Sequence, residues 1–299
     1  MVDAVNGGSL GADADAARAN HADGRADARA ATTARAPLTV GVFDSGLGGL
    51  SVLREIRAVL PGARLVYFAD SGNAPYGGRS DAFVRERSQA IARWLIGRGA
   101  QAIVVACNTA TAAAIDGLRD VHGLPIVGVE PGLKPAAAHT RSGTVGVLAT
   151  RGTLASARYA ALRDRVARAN PKVCFVEAAG EGWVELVEAG AAQSPEAFER
   201  VREVVRPLLD AGADTLVLGC THYPFLADAV RAAANGARII ETGHAIARQL
   251  LRRVDTELGL MHANGAATIE FSSSGDAAHG LAVARRLLGD VGLVAADAA

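Results

Sequence analysis

Ile103-Val104-Val105-Ala106-Cys107-Asn108-Thr109 is a short, mostly β-branched run that ends in a cysteine and two small polar residues. It has an echo at Leu216-Val217-Leu218-Gly219-Cys220-Thr221-His222. A Gly-Ala pair precedes each, Gly99-Ala100 and Gly212-Ala213, and a helix-like stretch follows each. A short apolar run bounded in this way reads as a buried strand. Open α/β sheets bind ligands in the crevice at the carboxyl ends of their strands. The chain is therefore expected to bring a thiol to such a crevice twice.

Working outward, the echo extends beyond the two cysteines. Thr39-Val40-Gly41-Val42-Phe43 reads as a strand running into the glycine-rich turn Asp44-Ser45-Gly46-Leu47-Gly48-Gly49 and a helix. Leu65-Val66-Tyr67-Phe68 is a second strand, followed by a polar loop over residues 70–78 and an amphipathic helix over 80–97. After the Cys107 strand and its helix comes Pro125-Ile126-Val127-Gly128-Val129. The pattern then restarts at Thr144-Val145-Gly146-Val147-Leu148, with Ala149-Thr150-Arg151-Gly152-Thr153 standing where the glycine turn stood. Val173-Cys174-Phe175-Val176 is the next strand, and a helix-like segment holding Trp183 and Glu188 follows. A helix over 195–209, the Cys220 strand and Arg238-Ile239-Ile240 complete the second half. A helix over 244–254, a strand over 268–271 and a last helix end the chain.

Alternating strands and helices predict parallel sheets. The fold class expected is α/β: two similar parallel-sheet domains related by pseudo-symmetry, with the site in the cleft between them. The expected division is a first domain over 38–132 plus 245–299 and a second over 133–244.

The 299 residues are half hydrophobic and 21% charged, enough for two domains with full cores. Formal charge balances to zero, so no global field draws nucleic acid or an anionic membrane. No apolar run is long enough to span a bilayer. Three cysteines without a C-x-x-C make neither a disulfide framework nor a zinc ribbon, and a reducing, cytoplasmic compartment is expected. Residues 1–37 carry almost no large apolar side chain and no hydrophobic signal core, so they read as a disordered tail, or as lying ahead of the true start.

Among candidate site residues, a single strand-end cysteine is ordinarily a small buried hydrophobe. Two in equivalent slots of a repeat favour chemistry, and a following helix start is expected to lower the thiol pKa. Cys174, inside Val173-Cys174-Phe175, reads as core. The Asp44 turn is neither a G-x-G-x-x-G nor a P-loop, since Ser51 stands at the last glycine position and no Lys follows. Its free N–H groups suit a carboxylate as well as a phosphate, and Asp44 is either a helix N-cap, a site group, or both. Pro75-Tyr76-Gly77-Gly78 places a phenol in a loop over the same crevice. His222, two residues beyond Cys220, is either an ordinary satisfied histidine or a proton-handling partner of the thiol. Glu188 reads on periodicity alone as part of a solvated helix face, as do the charges of Arg85-Glu86-Arg87.

Two thiols facing one cleft from opposite sides suit inversion of a carbon centre. One base removes the proton and the other returns it from behind, each serving as acid in the reverse direction. The carbanion needs donors fixed in advance, and Ser45, Asn108, Thr109, Thr221 and backbone N–H groups can supply them. No Lys stands where pyridoxal phosphate would attach, so no cofactor and no metal is expected.

Asp44-Ser45-Gly46-x-Gly48-Gly49, Pro75-Tyr76-Gly77, Cys107-Asn108-Thr109, Glu130-Pro131-Gly132 and Gly219-Cys220-Thr221-His222-Tyr223-Pro224 resemble the glutamate racemase family, in its order, over residues 38–285. The resemblance implies that Cys107 and Cys220 are the acid/bases. It implies that Asp44 tunes the first, and that Glu188 and His222 tune the second. It also implies that Asp44, Ser45, Tyr76, Gly77, Asn108, Thr109, Thr221 and His222 bind glutamate. The product, D-glutamate, would serve peptidoglycan synthesis, hence cell-wall biogenesis and cell shape, in a bacterial cytoplasm. A homodimer is implied, with regulation by a peptidoglycan precursor in some members. The chain departs from the family at Gly180-Glu181-Gly182, where a Cys-Pro pair is frequent, and at Glu241-Thr242, where Asp-Ser is frequent. Turnover of another diacid such as aspartate, a two-lobed amino-acid binding protein with inert thiols, and a redox pair are the competing readings.

Overall fold

The computed structural model describes residues 37–259, 269–289 and 291–296. The first half runs β1 (Thr39–Asp44), α1 (Leu50–Val59), β2 (Arg64–Ala69), α2 (Asp81–Gly97), β3 (Ala102–Val105), α3 (Asn108–Val121) and β4 (Ile126–Gly128). All six β1 residues are buried, as befits a strand covered by helices on both faces. Ser80 caps α2 by accepting the Phe83 N–H at 3.3 Å, and Asp81 in the first turn complements the helix dipole.

The second half runs α4 (Leu133–His139), β5 (Thr144–Ala149), α5 (Arg151–Leu154), α6 (Ala157–Ala169), β6 (Cys174–Ala179), α7 (Trp183–Glu188), α8 (Pro195–Asp210), β7 (Thr215–Leu218), α9 (Ala227–Ala233) and β8 (Arg238–Ile240). The chain closes with α10 (Gly243–Leu258), β9 (Ile269–Ser273), α11 (Ala277–Leu288) and β10 (Leu293–Ala295).

Two parallel sheets result. Their orders are β10-β9-β2-β1-β3-β4 and β6-β5-β7-β8. The inner order 2-1-3-4 is repeated as 6-5-7-8, so the duplication read from the motifs is a duplication of topology. The registers agree as well. Phe43 pairs with Val105, and Leu148 with Leu218. One residue on, the Ala106 N–H donates to the Phe43 carbonyl at 2.7 Å, and the Gly219 N–H to the Leu148 carbonyl at 2.7 Å. Cys107 and Cys220 thus each stand two residues past the end of a strand beside a point where strand order reverses, the place where such sheets bind ligands.

A single apolar cluster joins the halves, running from Val42, Leu47 and Leu53 to Leu148, Trp183 and Tyr223. Separate clusters fill the outer faces. One, with Phe43, Ile91, Ile103 and Ile115, lies under α2 and α3. The other, with Val145, Val147 and Tyr159, lies beneath α6. β9 and β10 extend the first sheet from the edge of β2, and α10 packs against α1.

Three expectations are corrected. Cys174 is exposed, not core, because β6 is an edge strand with β5 as its one neighbour. Cys220 is followed by a 3₁₀ turn, Tyr223–Leu226, before α9 begins, so it does not open an α-helix as Cys107 does. The closing strand runs through Ser273, and β10, a three-residue strand too short to carry a periodic signal, follows it. Thr268 and residues 1–36 of the tail expected over 1–37 lie outside the described residues.

Candidate active site

Asp44 ends β1 with no solvent exposure and ties the glycine turn to itself. Its Oδ1 accepts the Ser45 N–H at 2.6 Å and the Ser45 hydroxyl at 3.2 Å. Oδ2 accepts the Gly49 N–H at 2.5 Å and the Thr221 hydroxyl, from the other half, at 3.1 Å. The N-cap position of α1 belongs to Gly49, so Asp44 closes the turn rather than capping the helix. Burial raises the Asp44 pKa above the ordinary carboxylate value, against the pull of His222.

Two glycines of the turn are dictated by what lies against them. A Cβ on Gly46 would fall 2.2 Å from Glu188 Oε1, and one on Gly48 would fall 2.2 Å from His222 Nδ1. The second half therefore presses two of its side chains directly onto the backbone of the first. Ser51 adds to the seam by donating to the Thr221 carbonyl at 2.8 Å.

Cys107 is the N-cap of α3, and its Sγ accepts the Ala110 N–H at 3.5 Å. The Ser45 hydroxyl lies 3.8 Å away. The expected lowering of this thiol is not found. Burial pushes Cys107 well above the ordinary thiol value, the neighbouring Asp44 carboxylate adds to the rise, and the Ala110 N–H only partly opposes them. The helix start contributes the sign anticipated from the sequence, but complete desolvation outweighs it.

Cys220 has different company. Its Sγ lies 3.7 Å from His222 Nδ1, and His222 Nε2 lies 2.6 Å from Glu188 Oε1. That same oxygen accepts the Leu47 N–H at 2.6 Å. Burial works against a charged imidazole, yet the contacts with Cys220 and Glu188 hold His222 well above the usual histidine value. Glu188 is depressed in turn: burial would raise it, but His222 and the Leu47 N–H more than compensate. A histidine–carboxylate pair thus stands behind one thiol, and a buried carboxylate beside the other.

All but one of the residues singled out in the sequence line a single cavity. Asp44, Ser45, Tyr76, Gly77, Cys107, Asn108 and Thr109 come from the first half, and Cys220, Thr221 and His222 from the second. Glu188 is the exception and stands behind His222. Thr150, Thr153 and Val184 also line the wall and were not singled out. The repeat held the signal for the two threonines, because 149–153 occupies the place of the Asp44 turn; nothing in the sequence marked Val184. Asn108 Oδ1 is buried with no hydrogen-bond partner among the described residues. Tyr76 turns its hydroxyl away, donating it to Asp70 at 2.5 Å, so the wall it offers is its ring and backbone. Among the described residues, no three His, Cys, Asp or Glu side chains are grouped so as to hold a metal ion.

Residues 49–250 match the Asp/Glu/hydantoin racemase family. The chain belongs to that family. Within it, the chain is 53% identical over 240 residues to the glutamate racemase of Methylococcus capsulatus, covering 80% of this chain and 87% of the relative. It is 49% identical over 259 residues to that of Ralstonia pickettii, covering 86% and 90%. Among solved structures of the family, the glutamate racemase of Escherichia coli superposes with a TM-score of 0.76 at 34% identity, covering 87% of this chain and 97% of that one. That structure holds L-glutamate and the activator UDP-MurNAc-Ala. A glutamate racemase of Bacillus anthracis superposes equally well, with a TM-score of 0.76 at 30% identity over the same shares.

Proposed function

We propose that this racemase interconverts L- and D-glutamate by a two-base reaction in which Cys107 and Cys220 exchange roles. The observation that carries the reading is that thiols at equivalent positions of a duplicated topology line one cavity between two different acid–base environments. The closely similar relatives, all glutamate racemases, supply the substrate.

In one direction the Cys220 thiolate, facing the His222 imidazolium, takes the α-proton of glutamate. The electron pair left on Cα delocalises into the substrate carboxylate. Cys107, held as a thiol by burial and by Asp44, delivers its proton to the opposite face. The enzyme is left with a Cys220 thiol and a Cys107 thiolate, the arrangement required for the reverse reaction. The Asn108 side chain, Thr109 and the N–H groups at the strand ends stabilise the intermediate as donors already in place, while the Thr221 hydroxyl is spent on Asp44. Asn108, buried at the start of α3 with an unused oxygen, suits the ammonium group of an amino acid.

We place the product in peptidoglycan synthesis in the cytoplasm, with the chain acting as a homodimer without cofactor. The activator named in the E. coli structure supports a link to cell-wall precursors. No helix among the described residues is long and apolar enough to cross a membrane. Residues 38–132 with 245–299, and 133–244, are proposed as the two lobes.

Deuterium wash-in from each glutamate enantiomer tests the reading. Label should enter Cα from both, and Cys107→Ala and Cys220→Ala should each abolish racemisation. Full activity in either variant, or faster turnover of aspartate, would displace it.

A further inference from the structure

Outside the acid–base machinery, a knot of polar contacts surrounds the buried Asp70. This residue follows β2, and its N–H donates to the Asp44 carbonyl at 2.9 Å, which fixes it beside the glycine turn. Its carboxylate is fully buried. Oδ2 accepts the Tyr76 hydroxyl at 2.5 Å and Arg87 Nε at 3.0 Å; Oδ1 accepts Arg87 Nη2 at 2.7 Å and Asn73 Nδ2 at 3.0 Å. Arg87 comes from α2, a helix that contributes nothing to the cavity wall itself. Phe83, one turn earlier on α2, meets the Tyr76 ring edge-on at 6.4 Å between centroids. The segment so held, Tyr76 and Gly77, is a part of the cavity wall that touches the other half. A Cβ on Gly152 would stand 2.7 Å from the Gly77 carbonyl oxygen.

We infer that Arg87 is a positioning residue: its two-pronged bond to Asp70 fixes the Tyr76–Gly77 wall, and so the fit of the substrate. The inference rests on the proposed racemase reading. A bidentate guanidinium–carboxylate pair fixes direction as well as distance, and an ammonium cannot reproduce it. The Tyr76 hydroxyl then has one buried acceptor to meet, which sets the ring and the backbone that follows it. Arg87 is 29% exposed at its side chain while Asp70 is sealed, so the pair reaches from the surface helix to the cavity wall. A purely structural ion pair would stabilise the lobe without affecting substrate affinity.

The test compares Arg87→Ala, Arg87→Lys, Tyr76→Phe and the Arg87→Ala/Tyr76→Phe double variant, with Arg85→Ala, an exposed neighbour on α2, as control. KM and kcat are measured for both enantiomers, glutamate Kd by calorimetry, and Tm for each variant. Arg87→Ala should raise KM and Kd about tenfold, as expected for losing bonds to a charged group, while kcat falls by less than about threefold. Arg87→Lys should recover part of the loss. Tyr76→Phe should reproduce the affinity change with little effect on Tm, and the double variant should be no worse than Arg87→Ala alone, because both act through one chain of contacts. A KM and Kd within twofold of the parent in folded Arg87→Ala would overturn the inference, as would a loss that merely follows the folded fraction. Absence of racemisation in the parent chain would instead remove the proposed function, and the Kd comparison would still decide the role of Arg87.

Discussion

Glu188 Oε1 sits 2.6 Å from His222 Nε2, and the same oxygen takes the Leu47 N–H of the opposite half. One carboxylate therefore joins Cys220 in raising the His222 pKa and also latches the two halves together. Glu188→Gln keeps the shape and removes the charge. His222 should then fall toward its ordinary value, and the direction of reaction that begins with Cys220 as base should lose about 10–100-fold in kcat/KM. The sign with pH follows from the raised folded-state pKa of His222. Its contribution to stability is complete below the unfolded value and is lost as pH rises through the folded one. The alkaline limit of stability and of that direction should therefore move to lower pH in Glu188→Gln. Profiles of kcat/KM against pH for each enantiomer, with thermal melts over the same range, check this; unchanged alkaline limbs would deny the pair its role.

The same latch makes the glycines of the turn intolerant. Gly46→Ala would drive a methyl into Glu188 Oε1, and Gly48→Ala into the His222 ring, each at 2.2 Å. The atoms displaced are side-chain ends, so the chain should still fold, at a cost of about 1–3 kcal/mol. Activity should fall about a hundredfold, since the acid–base pair is what moves. Gly78→Ala, where an added Cβ meets nothing within 4 Å, should stay within about 0.5 kcal/mol of the parent and remain active. Comparable activity in all three variants would show that the close approach has no bearing on the reaction.

The unequal thiols give a chemical readout. The thiolate is the reacting form, so a buried thiol raised by desolvation and by Asp44 should resist alkylation. At neutral pH iodoacetamide should label exposed Cys174 first and Cys107 last. Asp44→Asn removes a negative charge beside Cys107, which lowers that thiol and should speed its labelling at fixed pH. Peptide mass spectrometry over time separates the three sites. Slower Cys107 labelling in Asp44→Asn would contradict the electrostatic assignment.

These contrasts mark how far the residues could be read before folding. The β-branched runs at 103–105 and 216–218 announced their strands because a parallel sheet buries both faces. The repeated order of motifs announced the second sheet. Cys174 was misread because an edge strand and a central one share the same local composition, and only the pairing with β5 alone exposes it. The direction of the Cys107 shift differs from the expected one because a helix start is local, whereas the depth of burial comes from the apolar cluster that Cys107 shares with Phe43 and Tyr76. Glu188 lies on the short helix α7, and its role was legible only through resemblance. Arg87 looked like one charge in a solvated run, since its partner lies seventeen residues back across an irregular loop.

Thr221 offers a last test, because it joins the halves at the carboxylate beside the first thiol. Its hydroxyl donates to Asp44 Oδ2 at 3.1 Å, while its carbonyl accepts from Ser51 at 2.8 Å. Thr221→Val keeps the volume and the carbonyl but removes the donor. Asp44, already raised by burial, loses one of the bonds that favour its ionised form and should rise further. A raised carboxylate penalises the folded state wherever it is ionised, so the penalty should be full above the folded pKa and relieved as pH falls toward the unfolded value. Loss of a hydrogen bond to a charged, buried group should cost about 1.5–3 kcal/mol at neutral pH. Urea unfolding at neutral and mildly acidic pH, with the slope unchanged, should show that deficit shrinking in acid. A deficit that is constant with pH would mean the hydroxyl acts through packing rather than through Asp44, and would detach Thr221 from the electrostatics of Cys107.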